Sequence, residues 1–294
     1  MVGKSERHTQ IAAHIVMIFL CLCAVLPFIL LLAASLTEES AAINYGFNFI
    51  PRVFSLDAYA YLVNQAPMIL RAYGITILVT VVGTLVSLII TSMLGYGITK
   101  NIPGKRALNF YVIFTMLFNG GLVPTYLIYT KYFHIANTLW ALIIPGLLLN
   151  AFNVMLVRNY FSSSIPDALI ESAMLDGAGE FAVFRQIVIP LSKPIIATIG
   201  LMTALGYWND WTNGLYYLDD TSLYSIQNVL NAIDKNITVL SSMASSNISV
   251  NKAELPMVTA RMAIAVIGIV PILCAYPFFQ RYFVKGITMG AVKG

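Results

Sequence analysis

Charged side chains are what this sequence has least of: 17 Lys and Arg with 13 Asp and Glu make up 10% of its 294 residues, against about 25% in an ordinary soluble domain. Histidine and cysteine are scarcer still, at 3 each. His8, His14 and His134 fall in a tail, a helix end and a loop. None has a positioned Cys, Ser or carboxylate partner, so no catalytic constellation is predicted. Cys21, Cys23 and Cys274 lie inside apolar runs, with neither the spacing of a metal site nor the even count of a disulfide framework. They read as small apolar thiols facing lipid or protein. A phosphate loop of the form GxxxxGK[ST] is also missing, because Gly3-Lys4-Ser5 has no upstream glycine or strand. The chain is therefore not expected to bind and hydrolyse ATP by itself. The net charge of +4 is small, and the basic residues sit between apolar segments without interleaved aromatics, which excludes a nucleic-acid binding stripe.

What the sequence has in place of charge is apolar length. Hydrophobic residues make up 59% of it, and they come in runs of about 20 or more, enough to span roughly 30 Å of hydrocarbon. Six such segments are predicted: Ile11–Ser35, Ile69–Thr99, Ala107–Tyr129, Thr138–Phe161, Pro194–Leu215 and Ala260–Phe283. Each should be helical, since a backbone in lipid must satisfy its own polar groups and no alternating polarity marks a barrel. The fold class is thus all-α, one polytopic membrane domain over 1–294. Lys4 and Arg7 precede the first run, which ends in Ala33-Ala34-Ser35 like a cleavable signal. Its length exceeds the 7–15 residues of a signal core and fits a retained helix better.

Orientation follows from the basic residues. With both termini cytoplasmic, the inner face holds Lys4, Arg7, Lys100, Lys105, Arg106, Arg158, Arg185, Lys193, Arg281, Lys285 and Lys293 and leaves six outside, as the positive-inside rule prefers. The segments outside are then 37–68, 131–137 and a long 216–259, which carries a Ser- and Asn-rich stretch from Thr238. Inside are a tight Lys100–Arg106 turn with Pro103-Gly104 and the patterned segment 162–193. No internal repeat is visible, and no ionisable residue sits at the core of a segment. Both weigh against an ion-coupled secondary transporter, and a membrane sensor or assembly factor would leave 162–193 unexplained.

That segment opens as a helix, with Ser164 as the expected cap, Pro166 in the first turn and Asp167 at a box-like spacing. It should close at Gly177, which accepts the left-handed conformation. Ile165, Ala168, Leu169, Ser172 and Ala173 are expected on one face. Phe181, Phe184, Ile187 and Val188 then repeat at helical spacing until Pro190 breaks the run and Pro194 starts the fifth span. The product is a surface helix-turn-helix, a shape that fits a groove on a soluble partner.

Here the sequence resembles a family. Glu171, Ala173, Asp176, Gly177, Ala178, Phe184, Ile187, Pro190, Leu191 and Pro194 match, position for position, the cytoplasmic EAA loop of permeases in binding-protein-dependent ABC importers. Ser172, where that loop usually has alanine, is a small-for-small departure. Gly206-Tyr-Trp-Asn-Asp-Trp, Asn119-Gly-Gly-Leu-Val-Pro-Thr and the C-terminal Tyr276-Pro-Phe-Phe-Gln-Arg-Tyr-Phe-Val-Lys-Gly with Gly290-Ala-Val-Lys-Gly are similar to the carbohydrate-uptake branch, the half akin to the smaller maltose-importer permease. They lean toward permeases for aldouronate-like or other complex oligosaccharides, and against permeases for polyamines, phosphate or peptides. The resemblance implies the type I importer fold in a bacterial cell membrane. It assigns ATPase coupling to Glu171, Ala173, Asp176, Gly177, Ala178 and Phe184. As partners it implies a second, homologous permease, two copies of a cytoplasmic ATPase that would hold ATP and Mg, and an extracytoplasmic solute-binding protein. No cofactor or metal is expected in this chain.

Polar residues at bilayer depth are costly enough to mark candidate pathway positions. Asn119, Asn150, Asn153, Asn209 and Asp210 are those here, with Trp208 and Trp211 as stacking surface for a sugar. Their bland alternatives are amides bonding across packed helices and tryptophans of an interfacial belt. Asn236-Ile-Thr and Asn247-Ile-Ser match glycosylation sequons and are read as chance.

Overall fold

The computed structural model describes residues 4–245 and 257–291, with side chains omitted at 4–8, 240–245, 257, 275, 276 and 278–291. The ending from Tyr276, apart from Pro277, and the Asn247 sequon therefore lie outside the described side chains. The helices run in order α1 (Lys4–Ser35), α2 (Glu39–Tyr45), α3 (Asp57–Val63), α4 (Ala66–Thr99), α5 (Lys105–Leu117), α6 (Leu122–Leu127), α7 (Trp140–Ile143), α8 (Ala151–Ser164), α9 (Asp167–Leu175), α10 (Glu180–Val183), α11 (Ile189–Leu191), α12 (Lys193–Asn209), α13 (Thr212–Tyr217), α14 (Ile226–Ser245) and α15 (Met257–Ala291). π-helical turns at Ile128–Tyr132 and Phe184–Val188 extend α6 and join α10 to α11. Among the described residues the only extended pairing is the isolated bridge between Thr37 and Phe54.

Among the described residues, two helices are by themselves long and apolar enough to cross a bilayer, Thr9–Ser35 and Ala66–Thr99. At 34 residues α4 measures about 50 Å, more than a hydrocarbon core of roughly 30 Å, so at least one of its ends extends past the lipid. Two bent pairs bring the number of candidate spans to four: Lys105–Leu117 with Leu122–Tyr132, at 117°, and Glu180–Leu191 with Lys193–Asn209, at 81°. The predicted third, fourth and fifth segments are accordingly not single helices. Asn119-Gly-Gly interrupts the third. Pro145-Gly146, with Gly146 at φ +71°, opens a non-helical stretch in the fourth, and Asp210-Trp211 ends α12 in the fifth. Mean apolarity over a whole segment does not reveal such breaks, because two or three polar, Gly or Pro residues lower it little.

The chain divides into two compact units. The first comprises the described residues of Met1–Pro67 and Leu230–Ile272. In it the Glu39 carboxylate caps the start of α15, accepting from Val258 N (2.7 Å), Thr259 N (2.9 Å) and Thr259 Oγ1 (2.7 Å). Arg261 Nε pairs with Asp234 Oδ1 at 2.9 Å, tying α15 to α14. The predicted long loop 216–259 thus contains a 20-residue helix. Its Ile226, Val229, Leu230, Ile233 and Ile237 are buried at helical spacing, while Lys235, Asn236 and Thr238 are exposed.

The second unit comprises the described residues of Met68–Val229 and Leu273–Gly294. Along the middle of α4 the packed face is mostly small: Ala72, Thr76, Gly83, Ser87, Thr91, Ser92 and Gly95 are buried, together with the larger Ile69, Val79, Tyr96 and Ile98, while Leu70, Leu78, Leu85 and Ile89 are exposed. Small residues let neighbouring helices approach in lipid, where no hydrophobic force drives them together. A Cβ at Gly83 would meet the Tyr207 ring of α12.

Candidate functional site: the 162–193 loop and the polar helix breaks

The loop between α8 and α12 is a helix-turn-helix, as its spacing predicts. α9 begins after Pro166 without a side-chain cap. The expected cap, Ser164, is instead the last residue of α8, and Pro166 sets the entry to α9. The exit follows expectation in detail. Gly177 takes φ +86°, Gly177 N donates to Met174 O at 3.0 Å, and Ala178 N donates to Ala173 O at 2.9 Å. This is the paired closure of a Schellman motif, which satisfies orphan carbonyls at the helix end.

The packed face of α9 differs from the predicted one. Ile165 is buried, and Ile170, Ala173 and Ala178 pack onto a cluster of Tyr96, Phe161, Val183, Val188 and Ile199. Ala168, Leu169 and Ser172 are exposed. The start of α9 three residues later than Ser164 rotates the inward stripe to Ile170 and Ala173. Glu171 and Asp176 are left exposed, and Leu175 is 89% accessible. Phe184 sits half-buried, its ring 5.2 Å from that of Tyr96. The second helical run continues past Pro190, which is tolerated in the short α11, and ends at the fully buried Ser192.

A clasp that spacing did not reveal ties this loop to the end of α4. Tyr96 Oη donates to Glu180 Oε2 at 2.6 Å, Lys100 Nζ pairs with the same oxygen at 3.0 Å, and Lys100 Nζ lies 4.8 Å from the Tyr96 ring centre. The Tyr96 hydrogen bond, helped by Lys100, holds the Glu180 carboxyl below the usual carboxylate range. Burial pulls the Lys100 ammonium down, but its contacts with Tyr96 and Glu180 outweigh this and leave it raised. A pocket of about 440 Å³ lies beside the clasp, with Lys100 and the carboxylates of Asp167, Glu171 and Glu180 among its lining. Tyr96 and Lys100 at i and i+4 were a readable pair; their partner, 84 residues beyond Tyr96, was not.

The candidate pathway residues are mostly engaged in capping the breaks. Asn119 Oδ1 accepts from Gly121 N at 2.9 Å. Asn150 Oδ1 accepts from Phe152 N and Asn153 N at 2.9 and 3.2 Å, opening α8. Asp210 Oδ1 does the same for Thr212 N and Asn213 N, and Asn209 Nδ2 returns to Leu205 O. Asn119, Asn150 and Asn209 are exposed and Asn153 is buried. Trp208 is half-buried beside Tyr73, with ring centres 6.3 Å apart, and Trp211 is exposed. The structure brings Asn150 and Asn153 into one cap, and no hydrogen bond among the described residues joins Asn119 to either. Sequence reading passed over the groups that satisfy the fourth segment's broken backbone: Tyr207 Oη donates to Ile143 O at 2.8 Å and Asn213 Nδ2 to Pro145 O at 3.0 Å.

No family model matches the chain. Among curated proteins it is 40% identical over 272 residues to Protein LplC of Bacillus subtilis (strain 168), covering 92% of this chain and 90% of that one. It is 39% identical over 294 residues to the polygalacturonan/rhamnogalacturonan transport system permease protein YtcP of the same organism, covering 99% and 100%. The chain belongs to the permease family of ABC importers. Among solved structures, the permease matches a chain of a bacterial ABC transporter involved in the import of the acidic polysaccharide alginate, with a TM-score of 0.79, 29% identity and coverage of 96% and 99%. The permease is thus an all-helical membrane protein and a transport subunit, and its helix-turn-helix stands where the sequence resemblance places the EAA loop.

Proposed function

We propose that the permease forms half of a translocation pathway for an oligosaccharide, with a second permease, two copies of an ATPase that hold ATP and Mg, and an extracytoplasmic solute-binding protein. Six spans with both termini and 162–193 on the cytoplasmic side fit this reading, with the third, fourth and fifth segments each counted as one bent span and Glu180–Leu191 taken as part of the surface loop and not of a span. Glu171, Ala173, Asp176, Gly177, Ala178 and Phe184 then form the coupling element. The observation that carries this is the division of labour in α9: Ile170 and Ala173 pack inward, Gly177 fixes the exit, and Glu171 with Leu175 is left facing out. Such a helix is held rigidly by its own domain and is open toward another.

Acidic sugar polymers are the favoured source of substrate, because the relatives that match over most of this chain include a polygalacturonan/rhamnogalacturonan permease and an alginate importer. The exposed amides of Asn119 and Asn209 keep donors for sugar hydroxyls after bonding the backbone, whereas Asn150 serves as a cap. The test reconstitutes the complete importer in proteoliposomes and measures uptake of uronate oligosaccharides against neutral ones of equal length. Binding-protein-stimulated uptake of the uronate series supports the reading. Uptake by the permease alone under an ion gradient, without ATPase, would overturn it.

A further inference from the structure

Motion of α9 has two routes into the helices of its own unit. One is the apolar contact of Ile170 and Ala173 with the cluster around Tyr96 and Phe161, which is non-directional and allows sliding. The other is directional. Glu180, in the first turn of α10, is held through one carboxylate oxygen by both Tyr96 and Lys100. The Tyr96 ring also packs against Phe184 at 5.2 Å and edge-on to Phe161 at 6.5 Å, so the residue that anchors Glu180 is itself locked on both sides. Tyr96 is buried on α4, and Lys100 follows directly on its end.

We propose that Tyr96, Lys100 and Glu180 are positioning residues of the transport cycle, a clasp that makes the 162–193 loop and α4 move as one body. The proposal rests on the reading of that loop as the coupling element. Displacement of α9 by an ATPase then shifts the end of α4, and a 34-residue helix carries the shift through the bilayer. The pocket adds an asymmetry. Lys100 is the cation in a lining that also holds Asp167, Glu171 and Glu180, so its loss leaves three acidic residues in that lining with no cation among them, whereas loss of the Glu180 charge breaks the pair and lowers the acidic charge as well.

The experiment uses the complete importer in proteoliposomes and measures sugar moved per ATP hydrolysed, with assembly checked by copurification of the ATPase. Glu180→Gln and Tyr96→Phe are expected to assemble normally and to lower this ratio about three- to fivefold, the scale of one partly exposed ion pair or one hydrogen bond. Lys100→Met should lower it further. The exchange Lys100→Glu with Glu180→Lys should recover at least half of the loss. Gly177→Val is run beside them. A wild-type ratio in Glu180→Gln, Tyr96→Phe and Lys100→Met, with transport lost in Gly177→Val, overturns the clasp and spares the coupling loop. Reduced ratios with no recovery in the exchange assign the losses to general disruption and also overturn the clasp. Wild-type transport in Gly177→Val overturns the coupling reading itself, and the clasp with it.

Discussion

Acidic and amide side chains play opposite parts in the 162–193 loop and in the interrupted membrane segments. In α9 the backbone closes itself through Gly177 and Ala178, which leaves Glu171 and Asp176 exposed. In the segments containing Asn119, Asn150 and Asp210 the side chains are used on the backbone, one at each break. On the proposed topology, which sets the loop at the cytoplasmic surface and the breaks within the bilayer, the contrast follows from solvent. At a surface, water satisfies a helix end and a glycine cap suffices, so polar side chains remain available for a partner. In lipid every exposed backbone group costs several kcal/mol, so the nearest Asn or Asp is drawn into capping. A polar residue at membrane depth therefore marks a break before it marks a ligand.

The largest effect should come where the loop depends on backbone geometry. Gly177→Val puts a β-branched side chain at φ +86°, which costs about 1–2 kcal/mol for the left-handed region alone and removes the Schellman exit. Binding-protein-stimulated ATPase activity and uptake should both be lost, while sugar binding to the extracytoplasmic protein is unchanged. Glu171→Lys should have the same consequence without altering the fold, since Glu171 is exposed. Persistence of stimulated uptake in Glu171→Lys would remove the contrast, leaving the outward carboxylate without a function.

A smaller effect tests the other half of the comparison. Asn150→Ala should lower the thermal stability of the purified permease complex by about 1 kcal/mol, the usual worth of an N-cap. Asn150→Asp and Asn150→Ser should retain both stability and uptake, because they cap equally well. If instead Asn150→Asp keeps stability and raises the KM for uptake many-fold, the amide also meets substrate and the division between capping and binding fails at this residue. Gly83→Ala is the structural control: a Cβ pressed against Tyr207 should cost about 1–3 kcal/mol with no selective change in KM.

Legibility in the sequence followed the range of the interactions. The exit at Gly177 and the helix-turn-helix were readable because their determinants lie within a few residues. The packed face of α9 was misplaced because it depends on where α8 stops, and α8 runs to Ser164. The amphipathic α14 was hidden inside a stretch read as loop: its Ile226, Val229, Leu230, Ile233 and Ile237 carry the period, but the polar residues between them dilute the hydropathy. The breaks at Asn119, Pro145 and Asp210 were visible as residues and not as breaks. The Glu180 clasp and the Tyr207 bond to Ile143 join positions 84 and 64 residues apart, and nothing local encodes them.

The smallest expected effect is the pH dependence of the clasp. Glu180 has its carboxyl lowered, first by the Tyr96 hydrogen bond and then by Lys100. A lowered carboxylate contributes stability that is fully present above its unfolded value and is lost only as pH falls through the depressed folded value. The raised Lys100 works from the other side, contributing below its unfolded value and losing that contribution as pH rises through the folded one. The clasp therefore stays closed across neutral pH. Between about pH 5.5 and 8, well clear of both ordinary values, sugar moved per ATP should be flat in the wild type, and Glu180→Gln should lie below it by a constant factor. That factor should shrink with added salt, since the Glu180 side chain is 56% exposed and such pairs are screened. A wild-type ratio that falls between pH 7 and 5.5, with the fall absent in Glu180→Gln, would mean that Glu180 titrates near neutrality. Its carboxyl would then be raised rather than lowered, and the Tyr96 and Lys100 contacts would not be what holds it.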